Sequence, residues 1–507
     1  MKNIIKIVSR GSALATIQAK MVGESLRSKN SDITVKYFTH NSIGDDDQSL
    51  DIKSSSTIGV FTNTLSKLII KSKYDIAVHS WKDYPVSSNI ETSIFGTLGR
   101  ADMRDILLLK KPKSTSKKSI SIMTSSPRRR YALKKILHKL IPLKYKKIIF
   151  KDLRGNIDTR IKKFMVSNND GIVIAKAAID RILSSDSNIS LELKKQLIIC
   201  NEKCHWIILP LSCFPTAPGQ GAIGIEAKSN NYNIIKKIKS INDEKTYRNV
   251  IAERKKMEQY GGGCSQKIGI SIWEKNSFSI YSIIGLTTSG EKLKTIKIQN
   301  NLKSVSYPMN RNYIFPKNKL EQTIFKRTNI NKNKVLSNIE NSIIYISRKN
   351  VLHFNPKFKK TNVLWTSGLN SWISTAKKGY WVNGSSDSFG EGETLNIPNF
   401  LGNNYEIVKL SFSNKKSISK KVINTYKLDS PKFPENLNER THFFWMSSFA
   451  FEEAIKKFPE IIEKEHACGM GNTYDSLSEI LGKGKRLSCY LSYEDWGKKM
   501  IKVKHDN

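Results

Sequence analysis

A chain of 507 residues is longer than one hydrophobic core usually supports, so three or four domains are expected. The 85 Lys and Arg against 44 Asp and Glu give a formal charge of +41. The lysines are spread along the whole chain without zinc-finger spacing, a helix-turn-helix signal or an RNA-binding aromatic motif, which argues against a nucleic-acid partner. Six scattered cysteines exclude a disulfide framework, and the lone run Cys200, Cys204, His205 lacks a second ligand pair, so no metal is expected. No stretch approaches the roughly 18 apolar residues of a membrane span, and a cytoplasmic protein without membrane contact follows as the expectation.

Residues 3 to 8 read as a strand, and Leu14, Ile17, Met21, Val22 and Leu26 then recur at helical spacing behind Ser12 as an N-cap. "ITVKYF" predicts a strand, "FTNTLSKLIIKS" a helix and "DIAVH" a buried strand. From about Ser119 the alternation repeats: "SISIMTSS" as a strand, "PRRRYALKKILHKL" as a helix with Pro127 in its first turn, then "KIIF" and "GIVIA" as strands. Two α/β domains with mainly parallel sheets are the economical reading, with ligands at the carboxyl ends of their strands. After Gln220 the pattern changes to a helix near residues 244 to 259, the run "GGGC" and the strands "KIGISIW" and "FSIYSII", which suggest a small α+β domain. Polar residues 301–340 read as a linker, and residues 341–507 as an additional α/β domain.

"DIAVHSWKDYP" sets Lys82 and Asp83 directly after a buried strand, where a cleft is expected. A lone Lys-Asp pair is usually a surface ion pair, but this one stands in a series of eight strings that appear in order along the chain: "SRGSALATIQA", "IGVFTNTL", "DIAVHSWKDYPV", "RADMRDILL", "TSSPRRR", "LRGNIDTRIKK", "APGQGAIGIE" and "AERKKMEQYGGGCSQKIG". Together they resemble the porphobilinogen deaminase (hydroxymethylbilane synthase) family, from about residue 4 to residue 300. Eight such strings in order are specific where any one would be weak.

The resemblance implies two doubly wound, periplasmic-binding-protein-like domains, 1–103 plus about 217–240 and 104–216, followed by an α+β domain at 241–300. It implies a transferase of tetrapyrrole (haem) biosynthesis that condenses porphobilinogen on a dipyrromethane primer, acting as a monomer. By position the primer sits on Cys264. A thiol suits that task as a soft nucleophile, and Gly261, Gly262 and Gly263 leave its loop free to adopt positive φ. The catalytic carboxylate matches Asp83, which would protonate leaving ammonia, stabilise the cationic azafulvene and remove the ring proton. Lys82, Asp83, Thr124, Ser125, Ser126, Arg128 and Arg129 would hold the primer. Arg10, Ser12, Gln18, Arg154, Arg160 and Arg181 would hold substrate or the lengthening chain. Arginine is the minority base here, yet it fills motif positions, as planar bidentate recognition of acetate and propionate arms requires.

Some positions depart from the family pattern. Ile58 and Asn63 stand where lysines are usual in the loop before and within "GLFxKEL", Pro127 replaces an aliphatic residue and Ala178 a frequent glycine. In the C-terminal part, "LWTSGLNSWISTAKKGYWVNGSSDSFGE" and "HACGMGNTYDSLSEIL" are similar to parts of uroporphyrinogen-III synthase, which cyclises the deaminase product. A bifunctional fusion is therefore one alternative. A noncatalytic anion-binding protein of the same architecture is another, since fold alone does not give function.

Overall fold

A computed structural model of the chain describes residues 3–40, 60–85, 90–185, 191–262, 266–275, 278–299, 307–308, 310–318, 320–389, 405–412, 421–482 and 486–501. The protein is mixed α/β. Its helices begin where side chains satisfy the free amides of the first turn. Ser12 accepts from the Ala15 amide ahead of Ala13–Lys29, and Ser126 accepts from the Arg129 amide ahead of Pro127–Leu140.

The first sheet has five strands in the order Ile33–His40, Asn3–Arg10, Ile76–Ser80, Ile223–Lys228, Thr92–Gly96. The second has the order Lys144–Lys151, Ser116–Met123, Gly171–Ala175, Asp105–Lys110, Cys204–Ile208. The expected parallel pairing holds for three strands in each. Ile223–Lys228 and Asp105–Lys110 instead run antiparallel to both their neighbours. These are the strands entered directly from the other sheet, through crossings at residues 209–222 and 97–104. A direct crossing supplies no return helix, which a parallel entry needs.

Helix Glu244–Glu258 and the antiparallel strands Gly269–Lys275, Phe278–Leu286 and Lys292–Gln299 form the third unit. The C-terminal body holds two further sheets, both wholly parallel. One has the order Gly384–Ser385, Val363–Thr366, Ser342–Ile346, Glu406–Ser411, Lys421–Asn424. The other has the order Ile314–Phe315, His442–Trp445, Glu465–Cys468, Leu487–Cys489. An antiparallel pair, Arg327–Asn329 with Tyr426–Leu428, lies where the chain passes between them. The segment 301–340 is thus more than a linker. Its lysine- and asparagine-rich composition hides Ile314 and Phe315, 1% and 2% exposed, which open the second sheet.

The C-terminal body shares a core with the second sheet of the N-terminal half. Tyr345, Val363 and Trp365 pack with Ile106, Ile174 and Trp206, and Trp372 and Val382 join the cluster of Leu133 and Leu137. Asn383 stitches the two sheet edges. Its carbonyl accepts from the Ile208 amide at 2.8 Å and its own amide donates to Leu364 O at 2.8 Å. Its side chain donates to Trp206 O and accepts from the Leu364 amide. Asn383→Ala strands those side-chain partners in a buried seam, so a urea titration is expected to show a loss of about 1–3 kcal/mol.

Candidate active site

Asp83 ends a short 3-10 turn, Trp81–Asp83, at the carboxyl end of strand Ile76–Ser80. Trp81, 1% exposed, anchors the turn, and its amide donates to Ala222 O across the return crossing. Buried Gln18 exchanges hydrogen bonds with Ser80 at 3.0 and 3.1 Å. Arg254, from helix Glu244–Glu258, donates to the carbonyls of Trp81, Tyr84 and Pro85, bracing the backbone on both sides of Asp83. The Tyr84 hydroxyl donates to Glu226, which also meets His79 Nε2 at 2.8 Å. Burial alone raises the Glu226 carboxyl, but the hydrogen bonds and charge around it, His79 foremost, hold it below its ordinary value. Asp83 itself is exposed.

Around this turn the sequence-predicted cations converge. Lys82 lies within the fields of Asp83, Arg129, Asp105 and Arg160, and Arg160 within those of Arg129, Asp83 and Arg10. Burial, first of all, lowers the proton affinity of Lys82 and of Arg160, and neighbouring positive charge adds to it. Arg128 and Arg129 enter from the start of helix Pro127–Leu140 and share one carboxylate, Asp105, at 2.8 and 2.6 Å. Burial works to raise the Asp105 carboxyl, yet the two guanidiniums hold it well below the usual carboxylate range. Arg128 also donates to Pro215 O and Arg129 to Val173 O.

Thr124, Ser125 and Ser126 lie in the turn before that helix. Ser125 Oγ links to Leu153, Thr124 O accepts from Arg130, and Ser126 caps the helix. Arg154 is half-buried in the following loop, near the Asn156 cap of helix Ile157–Val166. Arg181 sits deeper than a substrate contact suggests: it is 8% exposed and donates to Gly221 O at 2.7 Å, and burial pushes its pKa down to about 10.

Gln220 and Asp105 are the residues that motif reading undervalued. Gln220, 1% exposed, accepts from Lys82 Nζ at 3.4 Å and donates to Met103 O at 2.7 Å and Asp105 Oδ1 at 3.0 Å. It links the turn of the first sheet to the arginine pair of the second. The glycines beside it have positive φ, and a Cβ on Gly221 would lie 2.5 Å from Ala101 O, so only glycine lets the crossings pass this closely. Arg100 completes the junction through a bidentate pair with Glu253 and a bond to Gln220 O. Both residues stand in quoted motifs, "APGQGA" and "RADMRD", but the side-chain partners of Gln220 lie more than a hundred positions away and the arginines that meet Asp105 stand in a separate motif, so spacing carries no signal of either contact.

Gly261 and Gly262 have the expected positive φ. Gly263, Cys264, Ile58 and the side chain of Asn63 lie outside the described residues. Cys200 and Cys204 are buried, which pushes their thiols up to about 12 and about 11, and no metal-ligand cluster occurs among the described residues. None of the described helices is long and apolar enough to cross a membrane.

A family model described as "Porphobilinogen deaminase, dipyromethane cofactor binding domain" matches residues 5–236. Similar curated proteins include a "Probable porphobilinogen deaminase" of Picrophilus torridus, 37% identical over 274 residues that cover 54% of this chain and 87% of the relative. One of Methanocaldococcus jannaschii is 35% identical over 277 residues, covering 54% and 85%. One of Saccharolobus islandicus is 30% identical over 305 residues, covering 58% and 90%.

Proposed function

The chain belongs to the porphobilinogen deaminase family, and from that premise we propose how its residues divide the work of a hydroxymethylbilane synthase, a transferase that joins four porphobilinogen molecules into a linear tetrapyrrole. The observation that carries this reading is the exposed Asp83 carboxylate within the fields of Lys82 and Arg160, which in turn lie within reach of Arg129 and, for Arg160, of Arg10.

The donor set fits a dipyrromethane bearing several carboxylates. Cations outnumber Asp83 and Asp105, and among the described residues Nε of Arg128 and of Arg129 is buried without an acceptor. Lys82, Thr124, Ser125, Ser126, Arg128 and Arg129 hold the primer arms, with Cys264 as its covalent anchor. When bound, the primer supplies the nucleophilic ring carbon for the first addition, and each later pyrrole is joined to the free ring carbon of the one added before it.

In each condensation the C–N bond of a porphobilinogen aminomethyl group breaks, ammonia leaves with a proton, a carbon–carbon bond forms and the attacked carbon loses its proton. Asp83 holds the pyrrole N–H groups, offsets the positive charge that develops as ammonia departs and accepts the released proton. Arg10, Arg154 and Arg160 bind substrate and chain carboxylates, with Ser12 at the same rim. Gln18 and Arg181 serve through Ser80 and Gly221, which they hold. The strand order of the two five-stranded sheets supports reading them as periplasmic-binding-protein-like lobes, at 1–103 plus 217–240 and at 104–216. The enzyme works as a cytoplasmic monomer. Incubation with porphobilinogen is expected to release one ammonia per pyrrole consumed and a linear tetrapyrrole; an unreactive chain that merely binds porphobilinogen would leave the anion-binding alternative.

A second reading concerns the C-terminal body. Two parallel sheets joined by an antiparallel pair support a two-lobed enzyme, and the Cys468–Gly471 turn into helix Asn472–Leu481 suits carboxylates at backbone N–H groups. On this reading the body closes the linear product into uroporphyrinogen III. The full chain then yields the type III ring from porphobilinogen, whereas type I alone would rule the activity out.

A further inference from the structure

Each added pyrrole lengthens a chain anchored at one end, while a single carboxylate serves every addition. The two lobes and the third unit must therefore hold a set geometry at each step and still accommodate a growing polymer. The connections between lobes are the crossings at 97–104 and 209–222, so whatever grips them sets the alignment of Asp83 with the arginines.

In this chain both crossings are gripped by the C-terminal body. The ring of Trp365, 0% exposed, lies 5.8 Å from the guanidinium of Arg104, the last residue of the first crossing. Arg104 forms a bidentate pair with Asp102, and its carbonyl accepts from the Lys176 amide. The neighbouring turn supplies Asp387, with φ of 50°, whose carboxylate accepts from both the amide and the hydroxyl of Ser212 in the second crossing. Arg104 also lies within the electrostatic reach of Asp387. Two residues further on, Phe389 meets Trp273 of the third unit edge-on at 5.8 Å. One face of the C-terminal body thus contacts both crossings and the unit whose loop carries Cys264. The adjacent residues make this consequential, because Asp105 follows Arg104 and organises the arginine pair.

We infer that Trp365 and Asp387 of the C-terminal body are positioning residues for the condensation reaction, fixing both inter-lobe crossings so that Asp83 and the arginine pair stay aligned as the chain lengthens. The inference rests on the deaminase reading above. It makes the C-terminal body part of the deaminase whether or not that body has an activity of its own.

The test uses the full chain with Asp387→Ala, Ser212→Ala and Trp365→Phe. Steady-state rates are measured together with the mass distribution of enzyme-bound intermediates after substoichiometric porphobilinogen. Small misplacements of reacting groups cost up to about 10²-fold in rate. Asp387→Ala and Ser212→Ala are therefore each expected to lower kcat by about tenfold with KM little changed. They should slow later additions more than the first, so that longer intermediates accumulate. Trp365→Phe, which keeps a ring under Arg104, retains most of the rate. Wild-type kcat and intermediate distribution in folded Asp387→Ala and Ser212→Ala would overturn the inference, as would a uniform loss over all steps that only tracks a lowered Tm. If Asp387→Ala does not fold, Ser212→Ala decides by the same readouts. Failure of the deaminase reading is distinguishable, because the unmodified chain itself would then consume no porphobilinogen.

Discussion

Asp83→Asn lowers the single-turnover rate by about 10²- to 10⁴-fold and leaves the thermal midpoint unchanged. The side chain is exposed at the end of the Trp81–Asp83 turn, so folding draws little from it. The turn is instead fixed by buried Trp81, by Gln18 on Ser80 and by the three carbonyl contacts of Arg254. Asparagine preserves size and one acceptor but removes the negative charge and the basic oxygen on which the proposed proton transfers depend. Rapid-quench measurement alongside a melting curve separates the two effects, and a normal single-turnover rate would end the assignment of Asp83.

Asp105→Ala acts in the opposite sense, on the fold first. Asp105 is 0% exposed and is shared by Arg128 and Arg129, themselves 4% and 7% exposed. Removing one side of a buried ion network leaves uncompensated charge, which costs about 3–5 kcal/mol. Gln220 Nε2 loses an acceptor at the same time, which loosens the link to Lys82. The pH dependence follows from the depressed folded-state pKa of Asp105. Its contribution is complete above the ordinary carboxylate range and is lost as pH falls, from about pH 4 downward. Urea unfolding from pH 6 to pH 3 should show a steeper acid loss in the unmodified chain than in Asp105→Asn. Parallel profiles would contradict the role given to this carboxylate.

The strand-end motifs made much of the site legible in the sequence. Alternating apolar runs fix where strands end, and Lys82, Asp83 and the 124–129 turn follow at those ends. Arg129 and Arg160 lie within the electrostatic reach of Lys82, and Arg10 and Asp83 within that of Arg160. Other features were not legible because they depend on pairs distant in the chain. Asp105 reads as one acid in a short motif until Arg128 and Arg129 reach it, and Gln220 reads as a turn residue until both crossings are in place. Arg181 shows a further limit. Its residue type suits carboxylates, but its depth in the fold commits it to Gly221 O. The segment 301–340 misled through composition, since Ile314 and Phe315 are too short a strand to show periodicity.

The central claim is that this chain builds its product on a pyrrole primer held by Cys264, and intact mass of the purified full-length protein tests it most directly. The expected result is an added mass corresponding to two linked pyrroles, lost in Cys264→Ala together with activity. An active protein of unmodified mass, or an adduct that persists in Cys264→Ala, would contradict the account.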